Sequence, residues 1–129
     1  AYIAAIPGLK ELLEGVHKAS ERGYVYGLDH RRILVDSRHK SLNYLLQGSS
    51  AILAKRWMVL ANEMLTDLYK HIYQLAFIHD ELQYECPPEY VKDVKFTLEY
   101  SAAQSGEYYK LRIPVAAESK SGKTWADVH

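Results

Sequence analysis

Apolar residues recur every three or four positions in three segments of the chain. This spacing predicts a short helix over residues 8–20, a long amphipathic helix from about 40 to 69, and a further helix over about 87–106. One face of the long helix is expected to be buried. The positions of that face are Leu42, Leu45, Leu46, Ser49, Leu53, Trp57, Leu60, Met64 and Leu68.

Shorter apolar stretches predict strands between these helices. Residues 24–26 and 32–35 are expected to form a hairpin around a turn at 28–31. In that turn His30 stands where glycine would be easier, but histidine tolerates positive φ better than most residues. A last strand is expected over 111–117. The order of elements predicts an α+β fold in which helices back a small antiparallel sheet.

A second hairpin is expected around an acidic tip. Residues 75–78 form an uninterrupted apolar run that predicts a deeply buried strand, and residues 82–86 alternate as a half-buried strand does. The strands meet at His79 and Asp80 with no room for a long loop. Such a tip would hold Asp80 and Glu81 with little side-chain freedom, which suits a divalent metal. The structural alternative is a turn aspartate followed by an outward strand residue.

The long helix carries a glycine and a polar stripe. Gly48 costs about 1 kcal/mol relative to alanine inside a helix, and such a glycine often marks close packing. His39, Asn43 and Gln47 are spaced four apart and line one edge if the helix begins by His39. Donors on one edge suit the minor groove of a duplex, where every base pair presents acceptors. A solvated polar edge is the alternative.

Charge is unevenly distributed although the net charge is zero. Residues 17–56 carry eight basic and three acidic side chains, whereas residues 57–129 carry seven basic and eleven acidic ones. A phosphate-binding surface next to a metal-binding carboxylate site would need such an arrangement. The alternative is two solvated faces that happen to differ in charge.

Composition and missing motifs narrow the classes of protein. Hydrophobic residues make up 48% and charged residues 25%, which indicates a folded domain or part of one. No apolar run approaches the length of a membrane span, and the N-terminus lacks a signal-peptide pattern. The single Cys86 favours a reducing compartment such as the cytoplasm. The sequence has no zinc-ligand spacing, no glycine-rich phosphate loop and no local catalytic triad.

Four motifs in order resemble the C-terminal polymerase region of family A DNA polymerases, which include bacterial DNA polymerase I and several phage enzymes. Residues 27–32 resemble the family's Leu-Asp-Gly-Arg-Arg turn, and residues 42–58 resemble its long palm helix. His79-Asp80-Glu81 matches the motif usually called C. Residues 122–129 resemble the closing Gly-x-x-Trp and terminal histidine, so His129 is expected to be the native C-terminus.

The resemblance implies a DNA-directed DNA polymerase that adds deoxynucleotides to a primer by two-metal phosphoryl transfer. Asp80 would be one of two aspartates that hold Mg²⁺, Glu81 would adjust the metal site, and His79 would contact the primer end. The implied partners are primer-template DNA, deoxynucleoside triphosphates and the rest of the polymerase chain. The implied DNA-binding residues are His39, Asn43 and Gln47 for the minor groove, and Arg31 and Arg32 for backbone phosphates.

Parts of the family pattern have no counterpart here. The other metal-binding aspartate lies in an Asp-Tyr-Ser-like strand, and the incoming nucleotide contacts a fingers helix; this sequence resembles neither. Residues 1–36 are therefore expected to be the end of the fingers with a connecting hairpin, and residues 37–129 the palm. The isolated fragment is expected to be inactive.

The same residues support three further interpretations. The sequence is closer to the phage branch at two places: His39 stands where bacterial enzymes carry arginine, and residues 45–47 have the sequence Leu-Leu-Gln. A non-enzymatic α+β interaction module is the first alternative function. A small metal-dependent phosphohydrolase is the second, and it needs another carboxylate cluster that the sequence does not offer.

Overall fold

Helices alternate with two short hairpins along the chain, which confirms the α+β class. The computed structural model describes residues 2–66 and 70–128. The elements are α1 (Tyr2–Ala5), α2 (Leu9–Ser20), β1 (Tyr24–Tyr26), β2 (Arg32–Leu34), a 3₁₀ turn (Arg38–Lys40), α3 (Ser41–Thr66), β3 (Tyr73–Ile78), β4 (Glu81–Glu85), a 3₁₀ turn (Pro88–Tyr90), α4 (Val91–Tyr108) and α5 (Trp125–Val128). None of the helices in the described ranges is long and apolar enough to cross a bilayer.

The chain divides into two compact units, Ala1–Ile52 and Leu53–His129. Each unit contains one two-stranded antiparallel sheet, β1–β2 in the first and β3–β4 in the second. The predicted small sheet is therefore two separate hairpins. The assignment of residues 1–36 to the fingers and 37–129 to the palm is a statement about the family's subdomains, and it stays a prediction.

The first unit contains α2 and the β1–β2 hairpin. Gly23 ends α2 with a φ of 85°, a left-handed conformation that glycine adopts without steric cost, and its N–H donates to the Ser20 carbonyl over 2.8 Å. In the hairpin Val25 pairs with Ile33. The buried apolar side chains of this unit are Val16, Val25 and Ile52. The predicted helix and both predicted strands are thus confirmed here.

In the second unit, α4 is bonded to the later part of α3. The indole Nε1 of Trp57 donates to the Leu98 carbonyl over 2.8 Å. The Arg56 guanidinium lies 3.9 Å from the centroid of the Tyr108 ring. The buried side chains of this unit are Ala61, Leu65, Val94, Ser101, Ala102 and Ser105.

The predicted bounds and face of α3 need correction. The α-helix begins at Ser41, and Arg38–Lys40 form a 3₁₀ turn before it. Its predicted final residues, 67–69, lie outside the described residues. The predicted face is mostly half-buried, and Leu46 on it is 55% exposed. The buried positions of α3 are instead Ser41, Ile52, Ala61 and Leu65. A single stripe was the wrong expectation because this helix belongs to two units with different surroundings.

The strand expected over residues 111–117 is absent, and that prediction is wrong. Within the described ranges, β3 and β4 pair only with each other, so no strand offers the segment a ladder of hydrogen bonds. The segment lies along α4 instead: an ideal Cβ on Gly106 would stand 2.7 Å from Val115 Cγ2. The Ser119 N–H also donates to Glu99 Oε1 over 3.1 Å. Contacts with a helix therefore replace strand pairing.

The Gly-x-x-Trp segment forms a capped turn at the start of α5. Asp127 Oδ2 accepts from the N–H groups of Lys123 and Thr124 at 2.9 and 2.8 Å, and from the Thr124 hydroxyl at 2.9 Å. These hydrogen bonds hold the pKa of Asp127 below its ordinary value, and the bond from the Thr124 hydroxyl makes the largest contribution. A Cβ on Gly122 would collide with the Asp127 side chain. His129, the expected C-terminus, lies outside the described residues.

Candidate active site

The tip of the β3–β4 hairpin is a two-residue loop, as predicted. Ile78 pairs with Glu81, which leaves only His79 and Asp80 between the strands. His79 has a φ of 54°, the positive value that the first position of a tight hairpin loop requires. The loop thereby holds the Asp80 backbone between two fixed strand ends.

Cross-strand contacts at the other end of the hairpin fix its register. The Tyr84 hydroxyl donates to Gln74 Oε1 over 3.2 Å, and these residues are register partners. Burial raises the pKa of Tyr84 to about 12, so this hydroxyl keeps its proton. The register shifts between Gln74 and Ala76, and this shift marks a bulge at Leu75.

The run before the tip is less buried than predicted. Leu75 is 60% exposed and Ile78 is 40% exposed. A two-stranded sheet gives β3 one strand neighbour only, so no other strand in the described ranges pairs with its second edge. The expectation of a deeply buried strand was therefore wrong for this chain.

The predicted catalytic residues differ in exposure and in hydrogen bonding. His79 and Asp80 are both exposed, and neither has a hydrogen bond or ion pair within residues 2–66 and 70–128. Glu81 is half-buried, and its Oε1 accepts a hydrogen bond from the Gln83 amide. The Asp80 carboxylate is thus open to an external ligand, whereas the Glu81 carboxylate is oriented by its neighbour on β4.

The donor set at the tip suits a hard cation but is incomplete. Carboxylate oxygens are ligands that Mg²⁺ prefers, and Asp80 and Glu81 are adjacent. In the described part of the chain, however, no group of three or more His, Cys, Asp or Glu side chains could hold a metal ion. Further ligands would have to come from water, substrate or residues outside the described ranges.

The first hairpin carries the two predicted phosphate-binding arginines. The His30 N–H donates to the Gly27 carbonyl and the Gly27 N–H to the Arg31 carbonyl, both over 3.0 Å, and His30 has a φ of 62°. This is a β-turn closed by a left-handed residue, a common three-residue hairpin loop. The expected positive φ at His30 is confirmed.

Arg31 and Arg32 have different partners. Arg31 Nε lies 2.6 Å from Asp29 Oδ2, and the Arg31 N–H donates to Asp29 Oδ1. Burial opposes ionisation of Asp29, but the hydrogen bonds and charge of Arg31 outweigh it and hold the pKa of Asp29 below its ordinary value. The Arg32 guanidinium instead lies 4.8 Å from the centre of the Tyr24 ring.

Sequence reasoning missed the aromatic surroundings of Arg32. Tyr24 and Tyr26 stand on one face of β1, and the guanidinium of Arg22 lies within 4.7–4.8 Å of both ring centres. The available signal was the alternation of tyrosines on β1 with an arginine before the strand and another on the paired strand.

The predicted polar stripe is divided between two elements. Asn43 and Gln47 lie one helical turn apart on α3, and both side chains are exposed. His39 is also exposed, but it lies in the 3₁₀ turn that precedes the helix. Two amides therefore share one edge, whereas the backbone around His39 follows a different helical geometry.

The family is decided by comparison with known sequences. The sequence model of DNA polymerase family A matches residues 1–127. The chain belongs to DNA polymerase family A. This family A chain is 33% identical to the DNA-directed DNA polymerase of Enterobacteria phage T3 over 116 residues, which is 84% of the chain and 16% of that protein. It is 30% identical to DNA polymerase I of Bacillus caldotenax, covering 98% of the chain and 16% of the relative.

A solved structure has the same fold. The POL domain of Pol1 from M. smegmatis, in complex with DNA primer-template and dNTP, superposes with a TM-score of 0.86. The match covers 98% of the family A chain and 24% of that one, at 21% identity. The chain thus spans about a sixth of the curated relatives. The family predicted from the motifs is confirmed, and the roles of individual residues stay predictions.

Proposed function

We propose that this chain is the C-terminal palm part of a DNA-directed DNA polymerase that adds deoxynucleotides to a primer. One observation carries the proposal: Asp80 stands exposed on a two-residue hairpin loop, with no partner in the described ranges, inside a stretch that matches family A. An unpaired carboxylate on a rigid turn is a ready ligand for a divalent cation.

The residues of the hairpin would share the metal-dependent work. Bound Mg²⁺ would activate the primer 3′-hydroxyl and stabilise the leaving pyrophosphate. Asp80 would hold the ion, and Glu81, oriented by the Gln83 amide, would adjust the site from the adjacent strand position. His79, next to Asp80 on the same loop, would contact the primer end.

Primer-template DNA is the proposed macromolecular partner, together with the rest of the polymerase chain. A duplex held without sequence preference needs donors toward the minor groove and cations toward the phosphates. The exposed Asn43 and Gln47 amides, with His39 before them, would supply the donors. Arg31 and Arg32 would supply cations. The structural neighbour, which was solved in complex with DNA primer-template and dNTP, supports both DNA and deoxynucleoside triphosphates as partners.

The deciding experiment changes the hairpin-tip carboxylate in the full-length protein that contains these residues. Asp80→Asn keeps the size of the side chain and removes the charge that would hold Mg²⁺. We expect single-turnover primer extension to fall by roughly 100-fold or more with little change in primer-template affinity. Glu85→Gln, an exposed carboxylate at the other end of β4, is the matched control and should extend primers normally. Wild-type rates in Asp80→Asn would refute the catalytic role.

The isolated chain is proposed to be inactive. Asp80 and Glu81 alone do not complete a two-metal site, because no third carboxylate, histidine or cysteine joins them in the described ranges. Purified 129-residue protein should therefore show no primer extension with Mg²⁺ and all four deoxynucleoside triphosphates. Measurable extension, abolished by Asp80→Asn, would refute the proposed incompleteness.

A further inference from the structure

Two arginines and two tyrosines form a cluster on the exposed face of the β1–β2 hairpin. Tyr24 and Tyr26 meet edge to face with ring centroids 5.4 Å apart. The guanidinium of Arg22 lies 4.7 Å from the Tyr24 centroid and 4.8 Å from that of Tyr26, and the guanidinium of Arg32 lies 4.8 Å from that of Tyr24. We call these four residues the Arg–Tyr cluster.

The cluster holds its two cations in place without neutralising them. Arg22 Nε donates to the Tyr24 carbonyl over 3.2 Å, and Arg32 is the register partner of Tyr26. No carboxylate pairs with Arg22 or Arg32 among the residues that the structure describes, whereas the neighbouring Arg31 is paired with Asp29. Two stacked guanidiniums therefore retain their charge and most of their donors.

The surroundings of Tyr26 are consistent with a surface that favours anions. Hydrogen bonds from Tyr24 and then from Arg32 lower the pKa of the Tyr26 phenol, and the charges of Arg32 and Arg22 act in the same direction. These groups stabilise a negative oxygen on the surface of the hairpin. A phosphate oxygen at this place would meet the same donors and charges.

The arrangement of the rings distinguishes phosphate from base. Both guanidiniums already pack on the Tyr24 ring, and Arg22 also packs on Tyr26. The rings therefore serve to orient cations and offer little free face on which a nucleobase could stack. The remaining guanidinium N–H groups match the geometry of phosphate oxygens.

We propose that the Arg–Tyr cluster binds the phosphodiester backbone of a nucleic-acid strand without reading its sequence. The inference rests on the proposed polymerase function and extends it, because it adds Arg22, Tyr24 and Tyr26 to the DNA-binding surface. It also gives Arg32 a larger role in phosphate binding than Arg31, whose charge Asp29 already balances.

The test measures affinity of the full-length protein for a fluorescent primer-template over a range of salt concentrations. Arg22→Gln and Arg32→Gln should each lower the affinity about tenfold at low salt and reduce the salt slope by about one. The loss should be equal on duplexes of unrelated sequence. Lys18→Gln, which removes an exposed charge from α2 in the same unit, is the matched control and should change the affinity less than about twofold.

A second variant separates orientation from charge. Tyr24→Leu keeps both arginines but removes the ring on which they pack, so affinity should fall by at least about threefold with the salt slope nearly unchanged. If the wild-type protein binds DNA and the Arg22→Gln, Arg32→Gln double variant binds it equally well with an unchanged slope, the inference is overturned and the polymerase proposal stands. If the wild-type protein neither binds primer-template nor extends it, the polymerase proposal fails and the inference fails with it.

Discussion

Gly48 of α3 lies so close to Ile33 of β2 that an ideal Cβ on the glycine would stand 2.5 Å from Ile33 Cδ1. The same methyl group would lie 3.1 Å from a Cβ on Gly27. Ile33 Cδ1 thus lies between Gly48 and Gly27. Because neither glycine has a side chain, the helix and the hairpin can approach each other closely at this point. This confirms the expectation that a mid-helix glycine marks close packing.

The first prediction concerns this contact. Gly48→Ala should gain about 1 kcal/mol of helix propensity and lose about 1–3 kcal/mol from displacing Ile33, so the net effect is destabilising by about 1 kcal/mol. Ile33→Val alone should cost about 1 kcal/mol. In the double variant the clashing methyl is gone, so the two losses should be less than additive by at least about 0.5 kcal/mol. Urea unfolding of the 129-residue chain, followed by circular dichroism, measures this cycle. Strict additivity would contradict the packing explanation.

The second prediction concerns the left-handed residue of the first hairpin. His30 has a φ of 62°, so a β-branched residue there is strained, and His30→Val should destabilise the chain by about 1–2 kcal/mol. His30→Gly relieves strain but adds freedom to the unfolded chain, so its effect should lie between neutral and about 1 kcal/mol of stabilisation. The same urea unfolding assay gives the order of stability of the two variants and the parent chain. A valine variant as stable as the glycine variant would argue against the turn described here.

The third prediction concerns the amide edge of α3. Asn43→Ala and Gln47→Ala should each lower primer-template affinity of the full-length protein by about two- to tenfold, irrespective of base-pair identity, because minor-groove acceptors are common to all pairs. Asn62→Ala, an exposed amide further along the same helix, is the matched control and should bind normally. Fluorescence anisotropy on several duplexes gives the affinities. A loss confined to one sequence would contradict a sequence-independent contact.

The fourth prediction is a pH dependence at α5. Because hydrogen bonds lower the folded-state pKa of Asp127 below the reference value of 3.8, its contribution to stability is present above that pH. The contribution is lost as the pH falls through the lowered value. A carboxyl ¹³C titration should therefore give a midpoint below 3.8 for Asp127, and Thr124→Val should raise it. A midpoint at or above the reference value would rule out the capped turn.

Local patterns predicted the elements whose determinants are local. The helix over 8–20, the first hairpin and the two-residue loop at His79-Asp80 each depend on spacing and turn residues within a few positions. The strand prediction for residues 111–117 failed because their alternation suits a strand and a segment packed on a helix equally well. Only the presence of a strand that can pair with the segment decides between the two. Ile113 in that segment is 72% exposed, which no periodicity argument could have indicated.

The sequence predicted which residues form the site, but not which hydrogen bonds, ion pairs and ring contacts each of them makes. His79-Asp80-Glu81 marked the second hairpin tip, yet the different freedom of Asp80 and Glu81 depends on Gln83 across two positions of β4. Adjacent arginines 31 and 32 looked equivalent in sequence. Their surroundings separate them, because one meets a carboxylate and the other meets an aromatic ring.

The open side of β3 has a practical consequence for anyone who purifies this chain. Its backbone groups on that side have no strand neighbour in the described ranges, and Tyr73, Leu75 and Ile78 expose apolar surface beside them. Such an edge is a template for intermolecular sheet formation, so we expect concentrated samples of the isolated chain to aggregate. Leu75→Lys, at the bulge, would place a charge on that edge and should reduce such aggregation in the unfolding and titration experiments.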